Sequence, residues 1–240
     1  MTSLFINAAA ASEIGLRYRD NFDVAHVSTQ PLLAVVADGM GDGPGSAMAG
    51  RTTVDILVDR LRTGAASTAL ADIRDAVATA QQRVGDYGRE LGGLAGCTLT
   101  ALIQAGDGFW VAQLGDSRLY RLRANLLELL TVDHTMAWLG VVHGWYALDS
   151  PQAARARYQL TRYVGHPAAP EPDLLSLRPE PGDVFLLCTD GVAEQVSYQA
   201  IHDVLRDVDD PQAAARDLVA AANAAGGHDN ATAVVVTVSS

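Results

Sequence analysis

The sequence contains no lysine, and acidic residues outnumber basic ones. All 17 basic residues are arginine, against 28 Asp and Glu, so the formal net charge is -11. A field of this sign repels nucleic-acid phosphates and anionic lipids, so we expect neither nucleic-acid binding nor electrostatic membrane docking. The missing lysine also excludes a GxxxxGK[ST] phosphate loop, and the glycine-rich stretch GMGDGPG does not match GxGxxG.

Cysteine is scarce as well. Cys97 and Cys188 lie far apart in apolar segments, without a CxxC motif or a Cys/His cluster. This excludes a disulfide framework and a cysteine-based zinc site, and we expect buried thiols in a reducing compartment, the cytoplasm. Long apolar runs are also missing, and no basic residue precedes the apolar N-terminal stretch. We therefore expect neither a signal peptide nor a transmembrane helix.

What the chain does have is enough apolar material for a large core, with 49% hydrophobic residues over 240 positions. Runs rich in Val, Leu and Ile predict strands at residues 31–37, 98–103, 109–114, 119–122, 184–188 and 231–238. Helical spacing of apolar residues predicts helices at 46–61, 67–91, 197–205 and 211–222. The last of these opens with Asp-Asp-Pro, which is typical of a helix N-terminus.

These elements favour one fold class. The strands are grouped and the helices come in consecutive pairs, which favours an antiparallel α+β architecture over a doubly wound parallel sheet. No repeat or linker divides residues 1–240, so we expect a single domain. Periodicity weakens over residues 132–165, and the length of that segment predicts a functional flap.

Four aspartates occupy the ends of predicted strands. Asp38, Asp116 and Asp190 each follow an apolar run, and Asp229 precedes the last one. For a single Asp, turn chemistry is the stronger interpretation, because Asp-Gly is a common hairpin turn. Four carboxylates at strand ends can instead converge on one edge of a sandwich, where they would suit a hard divalent cation.

The same residues lie in motifs that carry a family resemblance. The ordered set comprises DNFD, VVADGMGDG, GCTLTALI, QLGDSRLYRLR, LTVDHT, LTRYVG, LLCTDGV and GGHDNAT. It resembles the metal-dependent serine/threonine protein phosphatases of type 2C over nearly the whole chain. The resemblance implies a four-layer α-β-β-α sandwich of two antiparallel sheets flanked by helices. It also implies a centre of two Mn²⁺ or Mg²⁺ ions with a further, more weakly held third.

The resemblance assigns roles at this centre. Asp38 matches the carboxylate that bridges both ions, and Gly39 matches the residue that offers its backbone carbonyl. Asp190 and Asp229 match further ligands, and these two with Asp38 are the predicted catalytic set. Asp116 matches the position that bacterial members use for the third ion.

Other positions depart from the family pattern around its Asn-Glu-Asp motif. Asp23 matches the final Asp, which acts near the metals through water, but Phe22 replaces the middle residue. The family's phosphate-binding Arg falls at Tyr18, so we assign the phosphate to the flanking Arg17 or Arg19 and favour Arg19.

Four further motif positions carry weaker predictions. Met40 occupies the position where many eukaryotic members of the family have a histidine that is proposed to act as general acid. Asp42 adds a carboxylate where the family usually has a glycine. Asp133 and His134 resemble the family's DH pair, although we favour a helix N-cap with a surface histidine. The Thr161–Arg162 pair matches the family's LTR motif. The pair could support the active site or only the surrounding structure, and the sequence leaves both roles open.

The resemblance thus implies hydrolysis of phosphoserine and phosphothreonine in a phosphorylated protein substrate, opposing a cognate Ser/Thr kinase. A second possible function is dephosphorylation of a small antagonist protein that controls a sigma factor. It has the same chemistry and differs only in the protein substrate. Phe22 and the displaced Arg support an alternative, a pseudophosphatase that binds phosphoprotein or metal without turnover. The four clustered carboxylates repel one another, and a chain without a catalytic role would have little reason to keep them, which favours the enzyme. We expect a monomer.

Overall fold

The computed structural model describes residues 4–61 and 68–240. These residues form ten strands and seven helices. The strands are β1 (Phe5–Glu13), β2 (Val24–Thr29), β3 (Leu32–Ala37), β4 (Leu99–Ala105), β5 (Gly108–Leu114), β6 (Arg118–Arg123), β7 (Leu126–Leu129), β8 (Asp173–Leu177), β9 (Val184–Cys188) and β10 (Ala231–Ser239). The helices are α1 (Pro44–Leu61), α2 (Leu70–Leu91), α3 (Met136–Val142), α4 (Pro151–Ala156), α5 (Asp190–Ala193), α6 (Tyr198–Arg206) and α7 (Pro211–Ala224).

The strands form two five-stranded antiparallel sheets. One has the order β1-β10-β9-β6-β7 and the other the order β2-β3-β4-β5-β8. Every ladder is antiparallel, and β10 pairs with β9 in the register Ala233 to Cys188. The predicted α+β class of two antiparallel sheets with helices is therefore confirmed.

Three apolar clusters separate the layers. Leu33, Val35 and the buried faces of α1 and α2 form one cluster, and α6 and α7 cover the other sheet around Leu186 and Val235. The third cluster, which includes Phe185, fills the space between the sheets. The order of layers is therefore α-β-β-α. Among the helices of the described residues, none combines the length and apolar character that a membrane crossing requires.

Several elements lie outside the predicted ones. The strands β1, β2, β7 and β8 lack the long branched-apolar runs that mark the buried strands, and β1 is rich in alanine. Pairing with β10 over nine residues makes β1 a strand, which is a tertiary effect that outweighs its low β propensity. The predicted start of the second helix at Ser67 lies outside the described residues, within which α2 begins at Leu70.

The segment predicted as a flap contains regular structure. Within residues 132–165, α3 is capped by Thr135 and α4 is capped by Ser150 with Pro151 in its first turn. A bridge between Thr135 and Leu160 brings the two ends of the segment together. The weak periodicity therefore reflects two short helices, each too brief to produce an amphipathic pattern in the sequence.

Candidate metal centre

Strand ends carry the candidate aspartates, as the sequence predicts. Asp38 directly follows β3, Asp116 lies in the turn between β5 and β6, and Asp190 follows β9 and begins α5. Asp229 lies two residues before β10, and Asp23 immediately precedes β2. Asp23 is buried and the other four are half-buried. Carboxylates from both sheets are thus withdrawn from bulk water.

Their charges act on one another. Burial, followed by repulsion from Asp190, Asp23 and Asp116, raises the pKa of Asp38 well above its usual range. Burial and the charge of Asp229 raise the pKa of Asp190 to about 6. The interaction between the two carboxyl groups raises the pKa of Asp38 and lowers that of Asp190, which favours the proton on Asp38 and the charge on Asp190. The carboxylates therefore share one electrostatic field.

Asp116 and Asp229 lie at the two flanks of this field. Burial, then Asp190 and Asp133, raises the pKa of Asp116 well above its usual range. Burial also raises the pKa of Asp229, which the backbone N–H of Asn230 and the charge of Arg17 partly lower. The Asn230 N–H donates to Asp229 Oδ1 at 2.8 Å.

Two buried oxygens of this group have no hydrogen-bond partner. They are Oδ1 of Asp23 and Oδ1 of Asp190. A buried carboxylate oxygen left without a partner is costly, and a divalent cation is one group that can compensate it. Within residues 4–61 and 68–240, however, no three His, Cys, Asp or Glu side chains lie at metal-binding spacing. The oxygen-only donor set suits Mg²⁺ or Mn²⁺, but the carboxylates are neighbours and not a closed ligand shell.

Asp23 is held behind the other carboxylates. Its Oδ2 accepts a hydrogen bond from Thr189 Oγ1 at 2.8 Å, and its N–H donates to Asn21 Oδ1 at 3.1 Å. Burial raises the pKa of Asp23 to about 7, although bonds from Thr232 and Thr189 lower it. Thr189 precedes Asp190, so this bond joins the segment before β2 to the end of β9.

A pair of buried hydroxyl groups links Asp38 to the turn that carries Asp116. Thr98 Oγ1 accepts from the Asp38 N–H at 2.9 Å and lies 2.6 Å from Ser117 Oγ. Thr98 N–H in turn donates to the Asp38 carbonyl at 2.8 Å. Gly115, at φ +104°, packs on Thr98 so closely that a Cβ would come within 2.6 Å of its Cγ2. Sequence reasoning missed both hydroxyls, because a buried Ser or Thr has no distinctive spacing.

Gly39 lies where the chain turns from β3 towards α1. It forms a bridge with Cys97, and a Cβ there would come within 2.7 Å of the Ser46 carbonyl oxygen. The close approach of α1 therefore requires glycine at this position. Asp42, in the same loop, is exposed.

The two candidate phosphate-binding arginines are both exposed. The Arg17 guanidinium lies 5.5 Å from the centre of the Tyr18 ring, and its charge lowers the pKa of Asp229. These two interactions place Arg17 beside the carboxylate group. The assignment of the phosphate to Arg17 or Arg19 stays a prediction.

Asp133 and His134 do not form the predicted N-cap and surface histidine. The cap of α3 is Thr135, and Asp133 instead accepts two hydrogen bonds from Arg118, at 2.9 and 2.6 Å. His134 is only 6% exposed, and burial lowers its pKa. Its burial depends on Gly115, a contact 19 residues away that no local pattern shows.

Phe22 is buried at 8% exposure, and its N–H donates to Asn230 Oδ1 at 2.8 Å. The Asn230 amide nitrogen also donates to the carbonyls of Ile14, at 2.8 Å, and Asp20, at 3.2 Å. Asn230, a further residue that sequence reasoning missed, thus fixes the N-terminal segment next to Asp229. Phe22 belongs to the packed interior at this point.

Comparisons with known proteins agree with this geometry. The family described as Protein phosphatase 2C matches residues 9–225. The serine/threonine protein phosphatase PstP of Mycobacterium tuberculosis is 30% identical over 240 aligned residues, which cover 98% of this chain and 46% of that relative. The chain thus spans about half the length of this relative.

Solved structures agree as well. PppA, described as a key regulatory component of T6SS in Pseudomonas aeruginosa, is 30% identical with a TM-score of 0.87, covering 98% of this chain and 100% of that one. The catalytic domain of PstP in complex with two manganese ions has the same TM-score at 29% identity, covering 99% and 100%. Fold, strand-end carboxylates and sequence together establish that this chain belongs to the protein phosphatase 2C family.

Proposed function

We propose that this protein hydrolyses phosphoserine and phosphothreonine in proteins with the help of a binuclear Mn²⁺ or Mg²⁺ centre. The observation that carries the proposal is the group of strand-end carboxylates that raise one another's pKa, two of which keep a buried oxygen without a partner. Such a group repels a phosphate dianion unless cations neutralise it. When bound, two divalent ions lower the pKa of water and neutralise phosphoryl oxygens.

The residues of the chain would divide the work as follows. Asp38 would bridge the two ions, with Asp190, Asp229 and the Gly39 carbonyl as further ligands. Asp116 would serve a third position, and the hydroxyl pair of Thr98 and Ser117 connects its turn to Asp38.

Substrate binding falls to the N-terminal segment. Arg17 would form a bidentate contact with the phosphate, and its position over the Tyr18 ring orients the guanidinium. Asp23, held by Thr189, would orient water or a ligand through hydrogen bonds without contacting the ions directly.

A metal-dependence assay with a matched pair of variants tests this proposal. Hydrolysis of a phosphothreonine peptide should need added Mn²⁺, stop with a chelator and return with excess metal. Asp38→Asn should lower kcat by roughly 10³-fold, because one charge serves both ions. Asp42→Asn, in the same loop but exposed, should remain within about twofold of wild type, which is near the noise of such comparisons.

Two outcomes contradict the proposal. Hydrolysis that survives chelation excludes the metal mechanism, and equal rates for Asp38→Asn and Asp42→Asn place the site elsewhere. Binding of a phosphopeptide without any turnover at saturating Mn²⁺ would support the pseudophosphatase alternative.

We further propose that the substrate is a target of a Ser/Thr kinase, including the kinase itself. The support is the proposed chemistry, because phosphoserine and phosphothreonine in a protein are the products of a Ser/Thr kinase. Incubation with an autophosphorylated kinase from the same genome should release phosphate in a Mn²⁺-dependent manner. A phosphorylated kinase that is left untouched under conditions where phosphopeptides are hydrolysed would refute this partner.

A further inference from the structure

A long groove runs beside the candidate metal centre. It has a volume of about 980 Å³ and lies between α2 and the segment of residues 163–172 that leads into β8. Tyr163, His166 and three prolines form one wall, and α2 forms the other. Arg74 and Glu171 face each other across it at 3.8 Å.

The wall opposite α2 is held in place by one buried glutamine. Gln81 donates through Nε2 to the carbonyls of Tyr163, at 3.2 Å, and Pro170, at 3.1 Å. Its Oε1 accepts from the Gly165 N–H at 2.7 Å. All three bonds tie the segment to α2, so the groove is preformed.

One end of the groove meets the loop that follows Asp38. The Met40 N–H donates to the Gly96 carbonyl at 2.9 Å, and Cys97 forms a backbone bridge with Val164. Gly96 lies so close to the Tyr163 ring and Met40 Sδ that a Cβ would come within 2.9 and 3.2 Å of them. Met40, Gly96 and Tyr163 therefore form a lip, and two peptide units from Asp38 to Met40 span at most about 7 Å.

The groove has the length of a peptide. The part of α2 that lines it runs from Arg74 to Arg89, which is about 22 Å at the α-helical rise. An extended chain covers that distance with about seven residues.

The α2 wall carries a glycine that packing does not explain. At Gly85 a Cβ would meet only the end of the Arg89 side chain, at 3.6 Å. Glycine in mid-helix costs about 1 kcal/mol relative to alanine, and at this position it leaves the groove wall without a side chain.

We propose that this groove binds the polypeptide of the phosphoprotein substrate, in extended conformation, on one side of the phosphorylated residue. The inference rests on the proposed phosphatase function. A groove whose Tyr163 end packs beside Met40, two residues after Asp38, and which is far longer than one phosphorylated side chain, fits the chain that carries that side chain. Because the groove leaves the site in one direction only, substrate residues on only one side of the phosphothreonine should contribute.

Peptide length and groove-filling variants test this directly. Phosphothreonine peptides would carry two, four, eight or twelve alternating alanine and serine residues, on either the N-terminal or the C-terminal side. For wild type, kcat/KM should rise with length in one series only and level off near eight residues. Ala78→Trp and Gly85→Leu fill the groove from α2. For the longest peptide, each should lower kcat/KM roughly tenfold, equal to about 1.4 kcal/mol. Neither should change the rate with p-nitrophenyl phosphate.

Ala71→Trp is the matched control, because Ala71 is exposed on α2 and does not line the groove. Melting temperatures would show that all three variants fold. Equal dependence on length in both series, or equal losses with p-nitrophenyl phosphate and peptide, overturns the groove proposal. So does a concentration-dependent dimer, seen by light scattering, that the groove variants abolish.

Failure of the phosphatase function would be visible separately. If wild type does not hydrolyse p-nitrophenyl phosphate with Mn²⁺, the same fluorescent peptides would be titrated and their anisotropy followed. Tighter binding of the eight-residue peptide, lost in Ala78→Trp and kept in Ala71→Trp, supports the groove without catalysis. Length-independent binding refutes it.

Discussion

At the scale of single residues, a few buried polar contacts fix the candidate centre. The Thr98 and Ser117 hydroxyls lie 2.6 Å apart between Asp38 and the turn of Asp116, and both are at most 1% exposed. Because the two buried hydroxyls are hydrogen-bonded to each other, neither needs a water molecule as a partner. Asp38 and Asp116 are therefore held relative to each other by a connection that belongs to neither carboxylate.

Ser117→Ala should break that connection. The variant leaves the Thr98 hydroxyl short of a partner, which costs about 1–3 kcal/mol in the free energy of unfolding. It should also weaken Mn²⁺ binding about tenfold, as the loss of outer hydrogen bonds at metal sites typically does. Urea denaturation and calorimetric Mn²⁺ titration would measure the two effects. Ser176→Ala, at an exposed site on β8, is the control, and identical Mn²⁺ affinities for the two variants would refute the coupling.

The burial of Phe22 decides between two possible effects of the substitution Phe22→Glu. A ring beside a hydrated metal would let Phe22→Glu restore a family carboxylate, whereas a packed ring makes the same change destabilising. At 8% exposure the second holds, so we expect Phe22→Glu to lower stability by about 3 kcal/mol or more, without lowering the Mn²⁺ requirement. Thermal unfolding and metal titration of one preparation would show both. Phe5→Glu, at a site with 65% exposure, should be nearly neutral, and a Phe22→Glu protein with unchanged melting would overturn this account.

At the scale of elements, His134 joins the predicted flap, residues 132–165, to the turn between β5 and β6. The ring Nδ1 of His134 accepts from the Gly115 N–H at 3.1 Å, and the backbone N–H of His134 donates to the Gly115 carbonyl at 3.0 Å. Its Nε2 lies 3.0 Å from Asp173 Oδ2 and 2.9 Å from the Arg162 guanidinium, which itself donates to Asp173 Oδ1 at 2.7 Å. Thr161 N–H donates to the His134 carbonyl at 2.8 Å, so one residue holds both ends of the segment that contains α3 and α4.

His134→Ala should therefore loosen the flap more than the sheets. Loss of the ring contacts with Gly115, Asp173 and Arg162 should cost about 2 kcal/mol, and amide hydrogen exchange in α3 and α4 should accelerate at least tenfold. Mass spectrometry of deuterium uptake would localise the change. His143→Ala, an exposed flap histidine stacked on Trp145, is the matched control. Uniform acceleration over all elements would show that His134 supports the whole fold and not the flap.

At the scale of the whole molecule, the buried carboxylates make stability depend on pH. Burial raises the pKa of Asp23 to about 7 and that of Asp190 to about 6, so the folded state keeps protons that the unfolded state has released. Because the folded state binds more protons, the metal-free protein loses stability as pH rises from about 4 to about 7. Cations that neutralise the carboxylates remove this loss.

Saturating Mn²⁺ should accordingly raise the melting temperature more at about pH 8 than at about pH 5, by roughly 5 °C or more if one carboxylate charge is relieved. Differential scanning calorimetry with and without Mn²⁺ at both pH values would measure it. His134, whose pKa burial lowers, titrates in the opposite sense, but it does so with and without metal and cancels in the difference. An equal stabilisation at both pH values would show that the carboxylates are not the metal ligands.

Local pattern in the sequence was sufficient for much of this molecule. Unbroken apolar runs predicted six strands, because strands buried on both faces need apolar residues throughout. Asp-Asp-Pro predicted the start of α7, which Asp210 caps through bonds from Gln212 N–H and Ala213 N–H. The strand-end positions of the aspartates also followed, since where an apolar run stops is a local property.

Only the tertiary structure decided the rest, because those features depend on contacts between distant residues. β1 is a strand through pairing with β10, more than 200 residues away. His134 is buried by its contacts with Gly115 and Asp173, and the hydroxyl pair requires Thr98 and Ser117 to meet between two sheets. A sequence pattern records the burial and spacing of neighbours along the chain, whereas these contacts exist only once the two sheets have packed.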